Sequence, residues 1–355
     1  MPIATCAVCT TFWPVQGEIP VRQISRRSVI AGAAALIPAP LRAQASGWDT
    51  VAGKAGALEQ CHAVLVHQHG APVVSEVFRG PPMGRSVPVK SVSKTIVAAL
   101  TGAAVDRGEI PSPQATLAEL ALGLIPGGAD PRVAELTVED LVTMQAGLER
   151  TSGANYGGWV SSANWVSNAL SRPFVAQPGS RMLYSTGSFH VLGAVLSEVS
   201  DKSLLTLARQ RIAEPLGIDI PAWTRDPQGR YLGGNEMSMS LPAMVRFGEM
   251  YRRNGLWEGT QVLSPGWVDA SFQPVTRSPW SGLRYGYGWF LGASGGNDYA
   301  LARGYGGQII CVVPQLALTI AITSDPTRPA RSGGYFGDLM ELIEGTILPV
   351  ARAEL

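Results

Sequence analysis

The sequence is poor in charged residues and has almost no net charge. Charged residues make up 15% of the 355 positions, hydrophobic residues make up 46%, and the formal net charge is +1. A disordered chain has more charge and less apolar material, so we expect a folded globular protein with a large core. No run of Lys or Arg follows the first 45 residues. This argues against nucleic acid as a partner.

The first 45 residues have the pattern of an export signal. Arg26 and Arg27 precede an uncharged stretch over 31–41, and Ala43-Gln44-Ala45 follows it. This order is typical of a twin-arginine signal peptide that is cleaved after Ala45. Together with Val29 and Ile30 the stretch has roughly 13 residues, fewer than the roughly 20 apolar residues that cross a bilayer. We therefore expect a periplasmic or secreted mature chain of residues 46–355, without a stable membrane span.

Cysteine and histidine are scarce, with four of each. Cys6 and Cys9 form a Cys-x-x-Cys pair, but this pair lies in the predicted signal and would be removed with it. Cys61 and Cys311 lie in apolar, strand-like runs, so we expect two buried thiols and no disulfide. The histidines lack the spacing of zinc ligands. The sequence therefore predicts no metal and no cofactor.

Hydrophobic patterning predicts strands near both ends of the mature chain and helices between them. Strands are predicted at 62–67, 73–78, 285–291, 308–313 and 316–322, and the main helices at 91–107, 189–199, 204–212, 242–251 and 336–348. A capping box at Thr137 predicts a further helix that ends at Gly147. The segments 155–165 and 223–235 are expected to be ordered loops because they are rich in Gly, Trp and Tyr.

These elements predict an α/β fold of the α+β kind. One antiparallel sheet is built from both termini and flanked by helices, and a mainly helical region is inserted between its halves. We expect a single domain over 46–355, with the sheet from about 46–80 and 281–355 and the helical region over about 81–280.

The strongest chemical signal is Ser91-Val92-Ser93-Lys94 at the start of an apolar helix. A hydroxyl and an amine three residues apart lie on the same helical face, within hydrogen-bond reach. A partly buried lysine has a lowered pKa and can accept the serine proton. One Ser-x-x-Lys arises by chance in roughly one such chain in four. A capping serine and a surface lysine, however, do not suit so apolar a helix.

Four further segments follow in order along the chain. They are Leu141-x-x-Met144-x-x-Gly147-Leu148, Pro178-Gly179-x(4)-Tyr184-Ser185-Thr186, Pro215-Leu216-Gly217-Ile218 and Gly304-Tyr305-Gly306-Gly307-Gln308. With Ser91-x-x-Lys94-Thr95 they make the mature chain resemble the serine β-lactamase, penicillin-binding protein and esterase superfamily. Within it, the carboxylesterase and 6-aminohexanoate-dimer hydrolase branch is most similar. The resemblance implies the β-lactamase/transpeptidase-like fold and hydrolysis of a small ester or amide substrate through an acyl-enzyme on Ser91.

The resemblance also implies roles for residues of the second and third motifs. Tyr184 would relay a proton between Ser91 and the leaving group. Thr186 stands where the family has Asn and lacks the amide that helps to hold a substrate carbonyl. In the third motif, Tyr305-Gly306-Gly307, the amide of Gly307 or Gln308 is expected to face Ser91 as an oxyanion donor.

The third motif has no Lys or His, the cation that holds the substrate carboxylate in β-lactamases and peptidoglycan peptidases. Its absence makes β-lactamase or D-alanyl-D-alanine peptidase activity the less favoured alternative. Arg303 lies two residues before Tyr305 and, on a strand, would point to the same face. We expect it to be either a substitute contact for an anion or a solvated surface residue.

Three other interpretations remain. Gly292-Ala293-Ser294-Gly295-Gly296 fits a nucleophile elbow, but a strand instead of a helix is expected after it. A catalytically silent binding protein on the same scaffold would also explain the altered second and third motifs. The aromatic loop 155–165, with Trp159, is a candidate lid over the substrate cleft. The oligomeric state is left open.

Overall fold

The computed structural model describes residues 47–355, which belong to one compact unit. The predicted signal, its cleavage site and the Cys6/Cys9 pair lie outside the described residues. The strands are β1 Cys61–Gln68, β2 Ala71–Val77, β3 Val87–Pro88, β4 Ser238–Met239, β5 Leu256–Trp257, β6 Thr260–Gln261, β7 Thr276–Arg277, β8 Arg284–Tyr285, β9 Phe290–Ser294, β10 Asn297–Gly304, β11 Gln308–Val313 and β12 Leu318–Ser324.

The main sheet joins the two ends of the described chain. Its strand order is β2-β1-β12-β11-β10-β9-β8-β7, and neighbouring strands run antiparallel. In the register of β1 with β12, Val64 lies opposite Ile322. The predicted sheet built from both termini is therefore confirmed. The predicted strand 285–291 is interrupted after Tyr285, where Gly288 takes a left-handed φ of 80° and turns the chain before β9.

Helices cover the sheet and fill the middle of the chain. They are α1 Gly47–Ala57, α2 Val92–Asp106, α3 Leu117–Ala121, α4 Val138–Val142, α5 Tyr156–Val160, α6 Trp165–Leu170, α7 Thr186–Ser200, α8 Leu204–Ala208, α9 Glu214–Leu216, α10 Leu241–Arg252, α11 Pro265–Phe272, α12 Tyr335–Leu342 and α13 Leu348–Ala353. Short π-helical turns over Arg209–Ala213 and Ile343–Ile347 join α8 to α9 and α12 to α13.

Helix α2 lies at the centre of the molecule. Every residue from Val92 to Ala104 is buried, because α2 packs against α7 on one side and against β10 and β11 on the other. Gly102 allows close approach of Trp267, since a Cβ there would come within 2.3 Å of the indole. The N-terminus of α2, and Ser91 with it, therefore lies where the helical region meets the sheet.

Several predicted local features differ in the structure. The helix after Thr137 ends at Val142, well before Gly147, and Met144 already has a left-handed φ of 60°. Helix α5 and the start of α6 occupy the predicted loop 155–165, while α1 and α11 were not predicted at all. Cys61 and Cys311 are free and buried, as expected. Among the described residues, no helix is long and apolar enough to cross a membrane.

Candidate active site

A tight backbone turn presents Ser91 at the start of α2. Lys90, the residue before it, takes a left-handed φ of 53° and forms an ion pair with Glu236 at 3.1 Å. The segment around Met237 holds the turn from the other side. The Met237 amide donates to Ser93 Oγ at 3.1 Å, and its carbonyl accepts from the Val89 amide at 2.9 Å. These contacts fix the backbone conformation of Ser91.

Lys94 lies one turn further along α2 and reaches back to the serine. Its Nζ donates to Ser91 Oγ at 3.0 Å, to Thr186 Oγ1 at 3.2 Å and to the Gly234 carbonyl at 2.6 Å. The side chain is only 2% exposed. Burial lowers the pKa of Lys94 below its ordinary value of 10.5, and the Tyr184 side chain opposes that shift only in part. A neutral Lys94 at this distance can accept the Ser91 proton.

Tyr184 faces the same site from the loop before α7. The Lys94 Nζ lies 5.0 Å from the centre of its ring. The ring stacks on Phe290, with centroids 6.5 Å apart. The loop is held on both sides of Tyr184, because the Leu183 amide donates to Met144 O at 2.8 Å and the Thr186 amide donates to Ser152 Oγ at 2.9 Å. The structure therefore brings Ser91, Lys94, Tyr184 and Thr186 together.

Of the two amides predicted to face Ser91, Gly307 and Gln308, the Gly307 amide already has a hydrogen-bond partner. That amide donates to the Gly304 carbonyl at 3.2 Å inside the β10–β11 turn, so the turn itself uses the donor. Gln308 is paired with Gly304 in the β ladder, and its buried side chain donates to the Ser324 carbonyl at 2.8 Å. The tight turn that joins β10 to β11 fixes the positions of both Gly307 and Gln308.

Tyr305 follows β10 directly and is the first residue between β10 and β11. Gly304, just before it, packs so closely on the serine turn that a Cβ would come within 2.2 Å of the Val89 carbonyl oxygen. Tyr305 itself lines the same cavity as Ser91. Within residues 47–355, the backbone amides of Ser91 and Tyr305 have no hydrogen-bond partner. Two free amides beside a nucleophile are what an oxyanion hole requires.

A cavity of about 530 Å³ opens beside Ser91. Its walls include Ser91, Tyr184, Trp280, Phe290, Arg303 and Tyr305. Trp280 and Tyr305 are each 52% exposed, so they stand at its mouth. A second cavity of about 410 Å³, beside Arg284 and Asp298, contains none of the predicted catalytic residues. The aromatic walls favour a substrate with an apolar portion.

Arg303 lines the cavity together with Tyr305, as its strand position predicts, and a second cationic residue, Arg331, lines it as well. The guanidinium carbon of Arg303 lies 3.4 Å from the centre of the Phe336 ring, and one nitrogen donates to the Ala330 carbonyl at 3.4 Å. Burial lowers the pKa of Arg303 to about 10. Among the described residues it has no carboxylate partner. An unpaired, largely desolvated guanidinium is suited to bind an anion.

The aromatic segment 155–165 does not line the cavity. Trp159 is fully buried and packs with Trp165 and Leu232 in a small separate cluster. Both indoles also contact the ring of His190, with centroids 5.8 and 5.5 Å away. The hypothesis that Trp159 is part of a lid is therefore not supported, because a buried core residue has no free face toward the cleft.

The alternative sites do not form within residues 47–355. Ser294 ends β9 and Asn297 begins β10, so Gly295-Gly296 is the turn of a hairpin and no helix follows. The nucleophile-elbow pattern is thus a false match. No group of three or more metal-ligating side chains is assembled in the described part of the chain.

Sequence reasoning missed two parts of this site. Gly234 reaches Lys94 across 140 positions, and no local pattern marks it. Trp280 lies in an exposed segment whose place at the cavity mouth is decided by tertiary packing. A glycine pair at 233–234 was the available signal, because adjacent glycines often mark close backbone approach.

Comparisons with known proteins agree with this geometry. A family model described as Beta-lactamase matches residues 57–340, which include every residue of the site. Comparison with curated protein sequences gives no significant match.

Among solved structures, a protein assigned as a 6-aminohexanoate-dimer hydrolase from Bacillus anthracis superposes with a TM-score of 0.67 at 17% identity, covering 83% of this chain and 79% of that one. EstCE1, a hydrolase with promiscuous acyltransferase activity, gives 0.68 at 17%, covering 84% and 98%. A penicillin-binding protein homologue from Caulobacter crescentus gives 0.64 at 17%, covering 87% and 98%. At these identities the likeness shows the shared fold.

Proposed function

Since this chain belongs to the beta-lactamase family, a family of serine hydrolases, we propose that it cleaves small esters or linear amides through an acyl-enzyme on Ser91. The observation that carries the proposal is the 3.0 Å hydrogen bond from Lys94 Nζ to Ser91 Oγ at the edge of an apolar cavity. A serine and a desolvated lysine in this arrangement form a nucleophile and its base.

The proposed reaction has two acyl-transfer steps. Ser91 Oγ attacks the substrate carbonyl while its proton passes to Lys94 and Tyr184, and the amides of Ser91 and Tyr305 hold the oxyanion. The C–O or C–N bond then breaks, and the same proton goes to the leaving alcohol or amine. Water next attacks the acyl-enzyme, gives one proton back through the Lys94–Tyr184 pair to Ser91, and releases the acid.

The residues around the cavity favour an ester or a linear amide as the substrate over a β-lactam or a D-alanyl-D-alanine peptide. The third motif has Tyr305, Gly306 and Gly307 where those enzymes carry a Lys or His. The nearby walls are aromatic, with Trp280 and Phe290. A catalytically silent binding protein is disfavoured because Lys94 is buried and bonded to Ser91 Oγ, the arrangement of a base with its nucleophile.

We propose that Arg303 binds an anionic group of the substrate. Its guanidinium faces the cavity without a carboxylate partner in the described residues, and the Phe336 ring holds it flat. A substrate carboxylate bound there would gain two charge-assisted hydrogen bonds from the guanidinium fork. Thr186, in place of the family's Asn, contacts Lys94 and thus serves the base rather than the substrate.

The test compares the wild-type chain with Ser91→Ala on a short p-nitrophenyl ester, a linear amide and a chromogenic β-lactam. We expect turnover of the ester by the wild type only, together with labelling of Ser91 by a fluorophosphonate. Turnover of the β-lactam at a higher kcat/KM than the ester would favour the β-lactamase alternative. Absence of both turnover and labelling would favour the binding protein.

We also propose export by the twin-arginine route, on the strength of the Arg26-Arg27 pattern. Cleavage after Ala45 leaves all the described elements intact, because α1 begins at Gly47. Mass spectrometry of the periplasmic protein should find Ser46 at the N-terminus. Replacing both Arg26 and Arg27 by Lys should retain the uncleaved chain in the cytoplasm, whereas unchanged processing would contradict this route.

A further inference from the structure

His190 and Asp226 form a buried pair behind the base of the site. His190 is fully buried on α7, and its Nε2 lies 3.0 Å from Asp226 Oδ2. Asp226 Oδ1 accepts the backbone amides of Gln228 and Arg230 at 2.9 and 2.8 Å. Burial acts to raise the pKa of Asp226, but the hydrogen bonds from His190 and the Arg230 amide outweigh it and lower that pKa. The carboxylate is therefore ionised and accepts a hydrogen bond from the Nε2–H group of His190.

The other ring nitrogen of His190 faces the backbone of the glycine pair. The Gly233 amide donates to Nδ1 at 3.4 Å. Because a donor faces Nδ1 and an acceptor faces Nε2, the partners select the tautomer with its proton on Nε2. The glycine pair lies against α7 so closely that a Cβ on Gly233 would come within 2.2 Å of the Phe189 carbonyl oxygen.

The residue after Gly233 provides the closest acceptor of the proposed base. Gly234 O lies 2.6 Å from Lys94 Nζ, nearer than Ser91 Oγ at 3.0 Å. Thr186, which also contacts Lys94, lies on α7 one turn before His190 and thus on the same helical face. Two contacts of Lys94 therefore depend on the same face of α7.

We propose that His190 is a positioning residue. Together with Asp226 it holds the Gly234 carbonyl within hydrogen-bond distance of Lys94 Nζ, and this contact keeps Lys94 Nζ directed at Ser91 Oγ. The proposal rests on the proposed acyl-enzyme function and adds a support for its base. It also explains the aromatic segment, because Trp159 and Trp165 pack on the imidazole and keep water from its two hydrogen bonds. Asp226 is the ionisable group bonded to the ring, and the positively charged Arg230 lies near that carboxylate.

Three full-chain variants separate positioning from packing. His190→Leu keeps the volume but removes both hydrogen bonds. His190→Asn places an amide oxygen near the position of Nδ1 and retains an acceptor for Gly233. Val191→Ala creates a cavity in the same helix and serves as the control for lost stability, since Val191 is buried and outside the site.

The first readout does not need activity. The chain has four lysines, so ¹³C-labelled lysine gives a spectrum in which Lys94 is assigned by Lys94→Met. Loss of the closest acceptor disfavours the ammonium, so in His190→Leu the Lys94 titration should move down by about half a pH unit or more. It should stay at the wild-type value in Val191→Ala and lie between the two in His190→Asn. A Lys94 titration that is unchanged or moves up in a folded His190→Leu overturns the proposal.

The second readout is the pH profile of ester hydrolysis. In His190→Leu, kcat should fall about tenfold with KM changed less than about twofold, and the acid limb of kcat/KM should move with the Lys94 titration. His190→Asn should recover at least about a third of the wild-type kcat. If His190→Leu does not fold, the proposal is tested by comparing the Lys94 titration in His190→Asn with that in Val191→Ala. Identical titrations in these two variants overturn the proposal. If the wild type lacks activity while the titration shifts, the proposed function fails and the positioning role stands.

Discussion

Lys94 and Gly234 are 140 positions apart in the chain, yet Lys94 Nζ lies 2.6 Å from the Gly234 carbonyl oxygen. The lysine is enclosed on all sides, with Ser91 Oγ and Thr186 Oγ1 as its other partners. A lysine cation in this position loses most of its hydration, so its burial destabilises the folded protein. The same burial lowers the pKa of Lys94, as its proposed role as a base requires. Stability and activity should therefore respond in opposite directions when Lys94 is replaced.

Lys94→Met should abolish ester hydrolysis without lowering the thermal midpoint. The folded-state pKa of Lys94 lies below its ordinary value of 10.5, so the unfolded chain binds this proton more tightly. The stability cost is full at pH values below the folded-state pKa, and it disappears as the pH rises through 10.5. We expect kcat/KM to fall at least about a thousandfold and Tm at pH 7 to stay equal or rise.

Lys202→Met is the matched control, because Lys202 is exposed and bonds only Gln210. It should leave both activity and Tm unchanged. In the wild type, kcat/KM should increase with pH along an acid limb whose midpoint lies below 10.5, as neutral Lys94 becomes available. A Lys94→Met protein that loses several degrees of Tm would contradict this account of the lysine.

Tyr305→Pro should remove one proposed oxyanion donor and leave the rest of the site in place. Proline lacks the amide hydrogen, whereas Tyr305→Ala keeps it, so the pair isolates the backbone donor from the phenol ring. We expect kcat to fall about 100- to 1000-fold in Tyr305→Pro and less than about fivefold in Tyr305→Ala. Equal losses in the two variants would mean that the side chain matters and the amide does not.

Arg303→Ala should discriminate between anionic and neutral esters. If the guanidinium binds a substrate carboxylate, KM for a carboxylate-bearing ester should rise about tenfold or more, while kcat changes little. KM for the neutral ester of the same length should stay within about twofold. Arg284→Ala, on the surface at the second cavity, is the control. An unchanged KM for the anionic ester would remove the role of Arg303.

The parts of the site that sequence predicts are those set by local geometry. Ser91 and Lys94 are one helical turn apart, so their proximity follows from the helix alone. The sheet follows from apolar strands at both ends of the mature chain. Tyr184 required the resemblance to a known family, because nothing in its own segment indicates that the loop reaches α2.

The parts that sequence did not predict depend on close backbone approach. Whether Tyr305 or Gly307 offers a free amide is decided by the internal hydrogen bond of one hairpin turn. Gly234 and Trp280 come to the site from segments without periodicity. The Trp-rich segment 155–165 looked like a surface loop, since its composition does not reveal that His190 offers it a buried ring to pack on.

Trp159 and Trp280 should show opposite effects on stability and on catalysis. Trp159 is fully buried, and its Nε1 donates to the Trp165 carbonyl at 2.9 Å, so Trp159→Ala should cost about 3–5 kcal/mol of unfolding free energy. Trp280 is 52% exposed at the cavity mouth, so Trp280→Ala should change that free energy by less than about 0.5 kcal/mol. KM for an ester with an aromatic acyl group should rise in Trp280→Ala and stay near wild type in Trp159→Ala, measured below its melting range. A Trp159→Ala protein of wild-type stability with a raised KM would instead restore the lid hypothesis, because loss of a buried packing residue should lower stability, whereas loss of a residue that contacts the substrate should raise KM.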